Sequence, residues 1–181
     1  EEFELTPRWL REVSLDGGTR GVWTVGPSVL GNPTWVLRGA GSAIPTDTAM
    51  ELPELRVAPG VPFVVRFAHR FDFEADETRL WDGAVIELST DGGASWRDVA
   101  ELIDPGYTGP LTDEAMSTLA NRPAYSRRNP SYPRADTVRL DFGTALAGER
   151  VRLRLRIATD ASVGSAGWEI DDLVITGTDP P

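Results

Sequence analysis

Apolar and polar side chains alternate along much of this chain, and that alternation predicts its fold. In Phe63-Val64-Val65-Arg66-Phe67-Ala68-His69-Arg70-Phe71, the residues Phe63, Val65, Phe67, His69 and Phe71 share one face, while Arg66 and Arg70 share the other. Val151-Arg152-Leu153-Arg154-Leu155-Arg156-Ile157 repeats the pattern with three arginines opposite the apolar residues. A period of two marks a strand with one face in a core. The same reading predicts strands at 20–25, 34–39, 84–90, 137–142 and 168–176, with short ones near 3–5 and 49–52. Turn clusters such as Asp16-Gly17-Gly18, Gly39-Ala40-Gly41-Ser42 and Ala58-Pro59-Gly60 separate them. Only residues 111–120 suggest a helix, and a short one. Many short strands between such turns predict an all-β chain, an antiparallel β-sandwich of jelly-roll type.

Composition narrows this without changing it. The 181 residues, 40% of them hydrophobic, suit one sandwich domain spanning 1–181, and 18 glycines with 14 prolines suit its turns. No run of about 18 apolar residues is present, so no membrane insertion is expected. The opening Glu1-Glu2 has no basic-then-apolar signal segment behind it and reads as the start of a mature or excised fragment. Cysteine is absent, which excludes disulfides and thiolate metal sites. All 18 basic residues are arginine, against 28 acids, for a net charge of −10. Phosphate backbones need the opposite balance, so nucleic acid is not an expected partner and cations are natural ligands.

The one long connection, residues 104–136, holds all three tyrosines, Tyr107, Tyr125 and Tyr132, with Arg127 and Arg128 among them. Long irregular segments are functional or poorly ordered. Aromatic rings beside guanidinium groups suit sugar or peptide recognition, which makes Tyr107, Tyr125, Arg127 and Tyr132 the candidate ligand-binding set. The competing reading has the loop folded over one sheet with its tyrosines as anchors. Exposed tyrosines on one surface favour the first reading; buried ones favour the second. Of the tryptophans, Trp23, Trp35, Trp96 and Trp168 read as core or hairpin covers, and Trp9 and Trp81 as more exposed.

Chemistry-bearing residues are few. The single histidine, His69, falls on the apolar face of a strand, where a hydrogen-bonded core role is expected. No H-E-x-x-H or G-x-S-x-G pattern occurs. Carboxylate pairs drawn from Glu87, Asp91, Asp171 and Asp172 leave glycoside hydrolysis as a remote alternative to a chain without catalytic activity. Arg152, Arg154 and Arg156, with Arg66, Arg70 and Arg139 on other strands, form either a basic patch for an acidic glycan or a solvated ladder. In the ladder, Glu87 and Asp141 are the available partners, each pair worth under about 1 kcal/mol.

Two glycine-tryptophan segments carry a family resemblance. Ser89-Thr90-Asp91-Gly92-Gly93-Ala94-Ser95-Trp96 matches S-x-D-x-G-x-x-W, the Asp-box hairpin of sialidases and other secreted proteins, here in a single copy. The order Phe67 to Asp72, Trp81 to Gly93, Val151 to Arg156 and Gly164-Ser165-Ala166-Gly167-Trp168-Glu169-Ile170-Asp171-Asp172-Leu173 resembles the β-sandwich that accompanies immune inhibitor A-type secreted metalloproteases. It is similar, more distantly, to MAM-like and carbohydrate-binding jelly rolls. The resemblance implies a non-catalytic accessory or interaction module of a larger bacterial protein, extracellular or on the cell surface. The expected partners are other domains of that parent protein, a glycan or a cell-surface protein. It also implies a structural calcium ion, held where an acid of the first strand meets one of the last, at positions that look like Glu4 and Asp171 or Asp172. Alternation from Trp168 and Ile170 turns Asp172 inward, where a carboxylate needs a cation, an arginine or amide donors. Asp82, with Asp72, Glu74 and Asp76, forms a second acidic group.

Overall fold

The chain, described here by a computed structural model over residues 10–18, 21–30 and 34–179, folds into two facing antiparallel sheets. In the first sheet, β1 (Arg11–Ser14) pairs with β4 (Thr46–Glu51), then come β13 (Arg150–Thr159), β7 (Gly83–Ser89) and β8 (Arg97–Asp98). The short β5 (Leu55–Arg56) extends the near end of β13. The second sheet runs β2 (Trp23–Pro27), β3 (Trp35–Gly39), β14 (Gly167–Thr176), β6 (Val64–Asp72), β12 (Asp136–Asp141) and β9 (Ile103–Asp104). Strands that neighbour in space are mostly distant in sequence, as in a jelly roll. The expected strand at 3–5 lies outside the described residues.

Alternation sorts the side chains as expected. Phe63, Val65, Phe67, His69 and Phe71 point inward from the second sheet with Leu37, Trp168 and Ile170, and meet Ala84, Ile86, Leu88, Leu153, Leu155 and Ile157 of the first. His69 is buried, with its Nδ1 accepting a hydrogen bond from Trp168 Nε1 at 3.2 Å. Three local expectations need correction. Residues 111–120 form turns rather than a helix, because Leu111 and Leu119 are needed on the sheet surface and the turns deliver them there. Trp35, at the open end of β3, is 40% exposed.

The third correction concerns β14. A register shift between Asp171 and Val174 marks a bulge, and Asp172 takes a φ of 50° there. The bulge adds a residue, so the inward positions run Trp168, Ile170, Leu173 and Ile175, and Asp172 is thrown into solvent.

The long connection crosses the outer face of the first sheet. Its hairpin of β10 (Gly109–Pro110) and β11 (Pro123–Ala124) brings Leu111, Leu119 and Ala124 onto Val85 and Ala158, a second small core. Tyr125 pairs its backbone with Ala84 and buries its ring against His69, Phe71 and Trp168. Tyr107 and Tyr125 thus serve as anchors, in line with the competing reading of the loop.

Candidate functional site

Three carboxylates converge at one end of the sandwich. Glu74 follows β6 of the second sheet by two residues, Asp82 directly precedes β7, and Asp160 directly follows β13. Ala158 pairs with Gly83, so the neighbouring strand ends bring Asp160 beside Asp82. A turn returns the chain from Glu74 to Asp82, closed by the Trp81 and Asp82 amides, which donate to the Glu74 carbonyl. One ligand oxygen from each acid lies within 4.8 Å of the others. Asp82 is fully buried, and Asp160 is 8% exposed.

Their hydrogen bonding is incomplete in a consistent way. Asp82 Oδ1 accepts the Asp160 amide at 2.7 Å, while Asp82 Oδ2, Asp160 Oδ1 and Glu74 Oε2 are buried without a partner. Burial, with the neighbouring carboxylates, pushes Asp82 up to about 7 and raises Glu74, and burial raises Asp160. Buried ionised oxygens without donors are costly, and a cation among them removes that cost. Calcium binds oxygen at about 2.3–2.6 Å, so two oxygens on one ion lie at most about 5 Å apart, which the cluster satisfies. Three carboxylates and no nitrogen or sulfur donors suit a hard cation. The cluster can therefore hold a metal ion.

Of the metal ligands expected from sequence, Asp82 is in this cluster. Asp171 and Asp172 are elsewhere: Asp171 pairs with Ala68, well inside the second sheet, with Oδ2 accepting from Thr34 at 3.0 Å. Glu4 lies outside the described residues. Glu74 belonged to the second acidic group. Asp160 was missed, although its place just past the β13 alternation was a usable signal once that strand was paired with β7.

The candidate ligand set is dispersed. Tyr107 is half-buried, its hydroxyl accepting from the Ile86 amide at 2.7 Å and donating to Asp98 at 3.1 Å. Tyr125 packs edge-on to it at 4.8 Å inside the core. Tyr132 lies under the Arg128 guanidinium, 4.7 Å from the ring centroid. Arg127 is exposed and donates to the Asp76 carbonyl. No exposed tyrosine surface results.

The arginine face is also different from a solvated ladder. Glu87 is buried, receiving Arg154 on Oε2 at 2.6 Å and, on Oε1, Arg122 at 2.8 Å and Arg156 at 3.2 Å. Arg156 also grips Asp47, and Arg122 grips Asp98. The covering loop supplies Arg122 and takes this network out of solvent. Asp141 pairs instead with Arg139 on its own strand. Asp91 closes the Asp-box turn, accepting from Ser89 and Ser95, and those donors hold its carboxyl well below the usual carboxylate range. Glu87 and Asp91 are thus both engaged within the fold, one by arginines and the other by its own turn.

Beside the carboxylate cluster is a cleft of about 410 Å³ lined by Glu74, Asp76, Trp81, Glu114, Met116 and Asp160, with Ala161 and Ser162. A second hollow of about 100 Å³ lies on the outer face of the second sheet, against the buried Arg70–Glu169 pair.

No family model matches the chain, and no curated protein matches its sequence. Solved structures share its fold. The K3 cleaved adhesin domain of Lys-gingipain (Kgp) from Porphyromonas gingivalis W83 has 17% identity and a TM-score of 0.54, covering 97% of this chain and 96% of that one. The K1 cleaved adhesin domain of the same protein gives 12% and 0.53, covering 98% and 96%. TmCBM61, solved in complex with β-1,4-galactotriose, gives 10% and 0.52, covering 97% and 91%. At these identities the likeness is one of architecture, an antiparallel β-sandwich.

Proposed function

We propose that this chain is a non-catalytic, extracellular interaction module of a larger secreted or surface protein, stabilised by a calcium ion held by Glu74, Asp82 and Asp160. The carrying observation is that three acids with ligand oxygens within 4.8 Å of one another each also bury an oxygen that has no partner. The three acids provide at most six oxygens, and calcium accepts six to eight from carboxylates, carbonyls and water in flexible geometry. Its role here is structural: it ties the exit of β6 in one sheet to β7 and β13 in the other. The adhesin domains and the galactotriose-bound module of the same architecture support a binding role. Architecture does not choose among ligands. A glycan-binding module is the second reading, supported by the sugar in the TmCBM61 complex. The narrower kinship with modules of immune inhibitor A-type proteases remains part of the proposal, as does a single domain over 1–181.

Thermal unfolding with EDTA and with added calcium tests the metal. Selective binding to the native state raises the melting temperature with calcium concentration. Asp82→Asn is expected to abolish that rise while leaving the EDTA-treated protein at least as stable as wild type, since burial disfavours the ionised form of the carboxyl it removes. A calcium-independent melting temperature in wild type overturns the metal assignment.

A further inference from the structure

We infer that the hollow on the outer face of the second sheet is a sugar site, and that it takes one ring of an uncharged glycan. The inference rests on the glycan-binding reading and is independent of the metal.

The construction of the hollow is the first argument. Glu169 and Arg70 are paired across β14 and β6, on the side away from Trp168 and Ile170, yet both are more than nine-tenths buried. Crossing segments bury them. The Ser28 hydroxyl and the Val29 and Leu30 amides donate to Glu169, and Arg70 donates to the Leu30 and Pro133 carbonyls. Buried Asn129 fixes the turn that bears Pro133 and Ala135, donating to the Arg134 carbonyl at 2.9 Å and to Asp136 at 2.7 Å. Beside this ion pair, Val36, Ala68 and Ala135 line the hollow, and their short side chains leave it open. The walls are therefore set before any ligand arrives.

The bulge in β14 is the second. Consecutive strand residues point to opposite faces, but the bulge sets Asp171 and Asp172 against the same hollow. Asp171 is held in place by the Thr34 hydroxyl and the Asp172 amide. The exposed Asp172 carboxylate has no partner among the described residues.

Charge and size then select the ligand. An anion would meet Asp171 and Asp172, and an organic cation pushed inward would meet Arg70. A metal ion would find the apolar Val36, Ala68 and Ala135 where it needs six or more oxygens. A neutral molecule with several hydroxyl donors avoids all three conflicts. In a pyranose, neighbouring hydroxyls donate to the two carboxylates while the C–H face of the ring packs on Val36, Ala68 and Ala135. At about 100 Å³ the hollow is well below the roughly 300–1,000 Å³ of sites that enclose a whole ligand, so one ring is held and the rest of the glycan stays in solvent.

The test is an NMR titration of the protein with the methyl glycosides of glucose, galactose and mannose, and with those of glucuronate and glucosamine. At least one neutral glycoside is expected to shift the amides of Ala68, Ala135 and Asp172, and to bind about tenfold more tightly than its charged counterparts. Asp172→Asn, which the left-handed backbone there accepts, should weaken that glycoside about fivefold, and Ala68→Leu should fill the hollow and abolish binding. Asp113→Asn, an exposed acid elsewhere, should leave it unchanged. Tighter binding of glucuronate or glucosamine, or equal effects of Asp172→Asn and Asp113→Asn, overturns the proposal. If neutral glycosides bind but shift amides elsewhere, the hollow falls and the glycan-binding reading stands. If none of the glycosides binds, both fall.

Discussion

Asp82 and His69 are both buried titratable groups, and they pull the pH dependence of stability in opposite directions. Burial raises Asp82 to about 7, so without metal the folded chain keeps a proton that the unfolded chain has released. Stability of the metal-free protein therefore falls as pH rises from about 4 to about 7, by roughly 4 kcal/mol as an upper bound. Burial lowers His69 to about 4, so in acid the unfolded chain takes up a proton the folded chain refuses. That contribution is lost as pH falls from about 6.5 to about 4, by roughly 3 kcal/mol. The two slopes oppose each other in metal-free wild type. Denaturant unfolding of Asp82→Asn across this range should lack the Asp82 slope, so stability should rise with pH more steeply than in metal-free wild type. His69 was legible from its alternation. Asp172 was not, because a bulge reverses the side of every residue past it and leaves no mark in an apolar-polar pattern. Gly167 is constrained more tightly still: at a φ of 90°, an added Cβ would stand 2.1 Å from the Gly39 carbonyl oxygen. Gly167→Ala is expected to give little folded protein, measured as soluble yield and chemical-shift dispersion.

Strands with strong alternation, 64–72 and 150–159, were legible nearly to their ends, because one face of each belongs to the core between the sheets. The other face of 150–159 was misread. Arg154 and Arg156 looked like solvated positions, and nothing local tells that a segment thirty residues earlier in sequence lays Arg122 over them. Glu87 is the hub of this buried network, with burial raising its pKa and the stronger arginine contacts bringing it below the usual range. Glu87→Gln leaves Arg122, Arg154 and Arg156 converging without their shared anion. Removing one member of a buried ion cluster costs about 3–5 kcal/mol, and chemical denaturation should show a loss in that range. Leu119→Ala, which opens a hole under the same covering loop, should cost about 2–4 kcal/mol without affecting calcium binding.

Across the whole molecule, the sandwich itself was readable from period, turns and composition, while the acidic balance directed attention to cations without locating the acids that could hold one. What could not be read was which strand ends share an end of the sandwich, since that depends on pairings between segments far apart in sequence. The cluster of Glu74, Asp82 and Asp160 is the case in point. Its three members belong to strands that meet only when both sheets have formed and faced each other. On the proposed metal assignment, ion capture gauges completed assembly rather than strand formation. Terbium in place of calcium would make the gauge optical, since Trp81 borders the same cleft and can sensitise its emission. During refolding, that luminescence should appear after the β-sheet signal, timing the moment at which the two halves of the sandwich close.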